Sequence, residues 1–447
     1  MTIIDKYAEF SDSTSLNNLS QETIKHAKRA VIDYFAATYA GSKFDPCKIL
    51  LQEYKSELSS NAPSRIIGHS SYCANPELAA WINGTSSHTA EYDDIFRDAL
   101  FHPSSPIISA ALATADWQKS KGEDFLKAIV YGFEISTRLG SAIQPSHGKF
   151  FHSTGTVGCI GAAAASAYLL MPNDVERIKN ALSTSVTFFA GLQQAFKSDS
   201  MSKPLHAGHA AEMGIRSARA ARSGITGASN IIDGSFGMGF AMSLDPKWNV
   251  ATQGLGEVFN ITQASHKIHA CCGLLFPAID AAVHLRNDEK FRIDNISKIE
   301  VFTYLQAIEA LPYLKPKTFS EAKFSVAYTV CEALIRGCVD LDSFTQSRLN
   351  DLKLNSLIDK VIYTHDESYQ NNFPSKRESR VEITFDDGKT INKHVPYRKG
   401  DPELPLTDDE LIDKFHRLSS AVIGSNSEKL VKQVLSLDSI YVSELSL

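Results

Sequence analysis

Three short stretches bring a titratable or cationic side chain to the doorstep of an apolar, helix-forming segment. In FRDALFHPSSP, His102 precedes Ser105 and Pro106. In KFFHSTGTVG, His152 precedes Ser153 and Thr154, and in SKPLHAGH, Lys203 immediately precedes Pro204. Serine or threonine N-caps and an early proline open helices, because the side-chain oxygen collects an orphaned amide hydrogen and proline has none to orphan. A lysine at such a start is unfavourable alone, since it adds charge to the positive pole of the helix. It makes sense if an anion arrives to collect the backbone amides and the ammonium together. Three such starts suit a substrate with several carboxylates. A histidine with a pKa near neutrality can exchange a proton there. The acidic stretch Glu91, Asp93 and Asp94 offers a general base, or an exposed turn.

Other candidates carry less. His206 and His209 in HAGH stand three apart, a spacing that can ligate a metal, but no third ligand is apparent nearby and a packed helix face is expected. No metal or cofactor is assigned. Gly234, Gly237 and Gly239 in DGSFGMGF do not match the dinucleotide fingerprint. Cys271 and Cys272 are adjacent, yet the 7 cysteines show neither metal nor disulfide spacing, which fits a reducing cytoplasm.

The elements that must position these residues are mostly helices. A chain of 447 residues calls for two or three domains, and a hydrophobic fraction of 43% with 21% charged residues is ordinary for a globular protein. The formal net charge of −6 shows no basic stripe, so a nucleic-acid surface is not expected. Met1 to Tyr7 has no basic region followed by an apolar core, and the longest apolar run, Gly161 to Met171, is too short for a membrane span. SQETIKHAKRAVIDYFAATYAG repeats apolar residues at helical spacing, with Gly41 as a stop. Helices are also expected from Ser105, over 123–140, over the small-residue run TGTVGCIGAAAASAYLL, from about Val175 to Phe196, and from Pro204. After about residue 265 the character changes. SKIEVFTYLQAIEAL begins with strand-like alternation, and RVEITFDDGKTINKHV reads as a hairpin. Helices are read between them, in SEAKFSVAYTVCEALIRG and around TQSRLNDLKLNSLIDKV, and again after an N-cap at Thr407. The fold class is mainly α: a large all-α domain over 1–265, an inserted α+β domain over 266–395, and a return to the helical part over 396–447.

Six segments in order, EYDDIFRDALFHPSSP, FHSTGTVGCIGAAAA, KPLHAGHAAEMG, HACCGLLFPAIDA, SEAKFSVAYTV and GDPELPLTDDELIDKF, resemble the MmgE/PrpD family, which includes 2-methylcitrate dehydratase, cis-aconitate decarboxylase and iminodisuccinate epimerase. The resemblance implies a helical domain joined to a smaller α+β lid domain, a site between them, a homodimer, and cofactor-independent chemistry at a carbon next to a carboxylate. By motif, His102, His152 and Lys203 match family active-site positions, and Asp93 and Asp94 match its acidic pair. Tyr313 matches a lid-side tyrosine, and Arg97, Thr154 and Lys267 join it as substrate-binding candidates. Three departures stand out. Ile95 replaces a threonine after the acidic pair, Phe276 replaces a histidine in the motif after Lys267, and Glu91 replaces an aspartate. The reading is a metal-free lyase, a dehydratase or decarboxylase, acting on a small di- or tricarboxylate such as 2-methylcitrate or cis-aconitate. The alternatives are a racemase or epimerase of a small dicarboxylate and a non-catalytic ligand-binding homologue. Phe276 weakens the decarboxylase assignment more than the epimerase one, since an apolar ring relays no proton.

Overall fold

Helix α1 (Gln21–Gly41) is capped by Ser20, whose side chain accepts from the Thr23 amide, and it buries nearly all of its last three turns. The computed structural model describes residues 1–12, 17–196, 200–310, 313–373 and 376–447. Gly41 is the last residue of α1 rather than a stop beyond it. A Cβ there would sit 1.8 Å from the Ser86 carbonyl oxygen, so glycine is required by the close approach of α2 (Pro76–Thr89).

The chain forms two compact units, Met1–His266 with Thr407–Leu447, and Lys267–Leu406. In the first, α3 (Ser104–Gln118), α4 (Gly122–Ile143), α6 (Val175–Val186) and α7 (Ser202–Arg222) surround α5 (Val157–Leu170). Helix α5 is buried on every side from Val157 to Ala167. Its small residues let backbones approach: a Cβ on Gly132 would lie 2.7 Å from the Gly161 oxygen, and one on Gly214 would lie 2.4 Å from the Ala162 Cβ. The packing offsets the roughly 1 kcal/mol that each interior glycine costs against alanine.

In the second unit a four-stranded sheet has the order β2-β1-β3-β4, built from β1 (Ile296–Thr303), β2 (Val361–His365), β3 (Ser379–Phe385) and β4 (Thr390–Val395). The hairpin β3–β4 is antiparallel with Val381 opposite Lys393, and Gly388 turns it at φ +78°. Helix α8 (Phe276–Arg286) packs on β3, β4 and α9 (Val326–Arg336). Helix α10 (Asp408–Ile423) returns the chain to the first unit behind a capping box of Thr407 and Glu410. Among the described residues no helix is long and apolar enough to cross a membrane.

Three local expectations are corrected. Helix α6 ends at Val186 instead of running on to Phe196, because the following segment pairs with another stretch of chain. The His152 amide donates to the Gly191 oxygen at 3.0 Å, and the Gln193 amide to the Phe150 oxygen at 2.9 Å. Helix α3 begins at Ser104, before the expected cap Ser105, because the Asp94 carboxylate caps it from outside. Strand β2 was not expected; it adds to β1 in parallel, and its burial does not alternate.

Candidate active site

The loop 90–103, between α2 and α3, supplies most of the site. Glu91 starts it in the left-handed region at φ +58°. Its carboxylate meets the Lys203 ammonium from α7, and both side chains are buried. Behind the loop, Lys414 of α10 donates to the Tyr92 carbonyl at 2.8 Å and to Asp33 of α1 at 2.6 Å. Burial alone would push the Asp33 carboxyl up, but the Lys414 ammonium and His266 outweigh it and hold it low. Ile95 is fixed by two backbone bonds to Ser265, each 2.8 Å.

Asp93 and Asp94 do different work. Asp94 caps α3, accepting from the Ser104 amide at 3.0 Å and its hydroxyl at 2.8 Å. Burial, then the Asp33 charge, push the Asp94 carboxyl well above the usual carboxylate range. Asp93 turns to the imidazoles: its Oδ2 lies 2.6 Å from His88 Nδ1 and accepts from Ser105 Oγ at 2.9 Å. A turn closed by Phe96 and Phe101 then returns the chain to His102.

His102 is held from two sides. Its amide donates to Thr154 Oγ1 at 3.3 Å, and its Nδ1 lies 2.8 Å from the Asp94 carbonyl oxygen. A carbonyl can only accept, so Nδ1 carries the hydrogen and Nε2 is the nitrogen left to take up or give a proton. His152 stands in the segment paired with Gly191, with its Nδ1 3.0 Å from His206 Nδ1, so one of these nitrogens donates to the other. Helix α5 starts at Val157, later than expected, because the His152 carbonyl first takes the Gly155 and Thr156 amides in a turn. Gln144, at the end of α4, braces both histidine loops, donating to the Ala99 oxygen at 3.1 Å and to Ser153 Oγ at 3.0 Å.

The result is a cluster of imidazoles, with His88 and His152 buried and His102 and His206 half-buried. The ring of His88 lies 4.9 Å from that of His102 and stacks at 5.4 Å on that of His152. His102 and His152 are 6.4 Å apart, and His152 and His206 are 5.2 Å apart. Burial, reinforced by the neighbouring rings, holds His152 well below neutrality. Burial and the Lys203 ammonium bring His206 down to about 4. His152 therefore departs from the near-neutral imidazole expected above; as it stands, it is a proton acceptor.

Residues 5–251 match the MmgE/PrpD N-terminal domain, and residues 269–438 match the MmgE/PrpD C-terminal domain. The chain belongs to the MmgE/PrpD family. Among MmgE/PrpD relatives, it is 29% identical to the cis-aconitate decarboxylase-like protein oryM of Aspergillus oryzae, over 100% of this chain and 98% of that one. It is 25% identical to the cis-aconitate decarboxylase of Homo sapiens, over 98% of this chain and 92% of that one. The same identity, 25%, holds to the cis-aconitate decarboxylase of Aspergillus terreus, over 96% and 92%.

Of the residues singled out in the sequence, the structure gathers His102, His152, Lys203, Asp93, Asp94 and Thr154 in the first unit. Arg97 lies in the same loop, its Nε 3.7 Å from Asp98. Lys267 and Tyr313 belong to the second unit. There Lys267 is buried, and burial with the Lys267 charge brings the Lys323 ammonium down to about 8; Tyr313 is half-buried. Phe276 is buried at the start of α8, edge-on to His269 at 5.0 Å. Sequence reasoning missed His88, which sits near the end of a polar helix with no punctuation around it. It read His206 as a packed face, whereas His206 is the partner of His152. Among the described residues, His88, Asp93 and His102 offer ligand atoms within 4.8 Å of one another. Hydrogen bonds engage three of these atoms, His88 Nδ1, His102 Nδ1 and Asp93 Oδ2.

Proposed function

We propose that this protein is a lyase that removes carbon dioxide from cis-aconitate or a closely similar small tricarboxylate. The observation that carries the reading is the imidazole cluster of His102, His152 and His206, with His152 buried and held well below neutrality, beside the buried pair of Lys203 and Glu91. The names of the relatives point the same way.

The chemistry asks for this arrangement. In an alkene tricarboxylate with a carboxymethyl arm, the breaking C–CO2 bond supplies the pair for a new double bond. The old double bond moves its pair to the carbon beside the far carboxylate, and that carbon takes one proton. A trianion plus one proton gives a dianion plus carbon dioxide, so the site must hold a multiply charged anion and deliver one proton. Lys203 offers a cation, and fixed donors aimed at developing charge are worth most in a dry site. A bound polyanion favours protonation of the imidazole beside it, which converts His102 or His152 from acceptor to acid for that one transfer.

The test is incubation of the purified protein with cis-aconitate carrying 13C in its carboxyl groups, following labelled carbonate by NMR. Labelled carbonate with a new olefinic product supports the reading. An olefin from 2-methylcitrate with no carbonate would make the protein a dehydratase, and solvent hydrogen entering an intact dicarboxylate would make it an epimerase. Either result overturns the decarboxylase assignment.

A further inference from the structure

We propose that His88 is a positioning residue: by occupying the Asp93 carboxylate, it keeps that charge off His102 and so sets the protonation of the reacting imidazole. This rests on the cluster being the proton-transfer site. Asp93 Oδ2 is met by His88 Nδ1 at 2.6 Å and Ser105 Oγ at 2.9 Å, whereas His102 Nδ1 stands back at 3.6 Å. His102 gives its hydrogen instead to the uncharged Asp94 carbonyl. A carboxylate at that range, with nothing else to hold, would draw a proton onto His102 and keep it an imidazolium.

His88 is suited to prevent this. Burial brings it down to about 3, so it gives Asp93 a hydrogen bond without adding a positive charge. Its Nε2 is buried with no hydrogen-bond partner, so the bond to Asp93 fixes its tautomer. Its ring lies against both His102 and His152. Among the described residues, the charged or titratable groups around the pair include Glu91 and Asp94 in the same loop, His152 ahead of α5, and Lys203 and His206 on α7.

Two substitutions separate charge control from packing. In His88→Asn the side-chain amide nitrogen takes the place of Nδ1 and still donates to Asp93; in His88→Leu nothing does. Nitrogen-15 spectra of the histidine rings across pH 5–9, with the His102 signal assigned by its loss in His102→Gln, read the effect without any substrate. In His88→Leu the His102 midpoint should rise by at least about one pH unit, roughly tenfold in proton affinity. In His88→Asn it should stay at the wild-type value. An unmoved midpoint in folded His88→Leu, or equal shifts in both variants, would overturn the proposal. If His88→Leu fails to fold, Ser105→Ala, which removes the other donor, must raise the midpoint in the same direction, and no movement there counts equally against it. Failure of cis-aconitate to react would sink the proposed function and leave this measurement intact.

Discussion

At the residue scale, the proposed site pairs Lys203 with Glu91 and holds the imidazoles of His88, His152 and His206 below neutrality. Lys203 and Glu91 are both buried, so removing one leaves the other uncompensated, at a cost of about 3–5 kcal/mol. Lys203→Ala should therefore lower the melting temperature and raise KM for multiply charged acids more than it lowers kcat; an unchanged KM would remove Lys203 from the anion site. His102, His152 and Lys203 could be singled out in the sequence because each stands close to an expected helix start, although helix α7 begins at Ser202 and so holds Lys203 in its first turn rather than ahead of it. His88 could not, because a histidine inside a helix carries no spacing signal, and only the fold brings it to Asp93. The separate tasks of Asp93 and Asp94 were equally hidden, since adjacent carboxylates look alike until their partners are in place.

At the element scale, the site depends on how closely α7 can approach α5. Helix α7 carries Lys203 and His206, while α5 follows directly on the His152 turn. At Gly214 an added Cβ would lie 2.7 Å from the Ala162 carbonyl carbon, a backbone atom that moves only with its helix. Gly214→Ala should cost about 1–3 kcal/mol and reduce kcat, through displacement of Lys203 and His206. Denaturant unfolding checks the first effect and kinetics the second; a fully stable, fully active variant would show that this approach does not set the site. The helical periodicity and the hairpin could be read in advance because local patterns define them. Strand β2 and the end of α6 could not, since pairing with a distant segment decides both.

At the scale of the whole molecule, the buried imidazoles link stability to pH. His88 lies at about 3, His147 and His206 at about 4, and His152 well below its ordinary 6.5. Between those values and 6.5 the unfolded chain binds protons that the folded chain refuses, so stability rises with pH. It is fully present above about 6.5 and drains as the pH falls toward 4. Asp94, Glu134 and Glu212, pushed up by burial, work in the opposite sense, while His26 and His69, also brought down by burial, add to the four. Thermal unfolding should give a lower midpoint at pH 5 than at pH 7.5, with protons taken up on unfolding; a higher midpoint at pH 5 would show that the imidazoles are not held neutral. The change of pattern near residue 265 could be read because periodicity is written locally; the compact units of the structure are Met1–His266 with Thr407–Leu447, and Lys267–Leu406. The pH linkage was not legible, because burial belongs to the assembled fold. The central claim is that the His102–His152 cluster delivers one proton to carbon as carbon dioxide leaves. It is tested most directly by proton NMR of cis-aconitate turnover in deuterated water, comparing the wild type with His152→Gln. The account predicts one deuterium at the newly saturated carbon of the wild-type product and at least about a hundredfold slower turnover in the folded variant. Equal rates in the two proteins, or a product without deuterium, would contradict it.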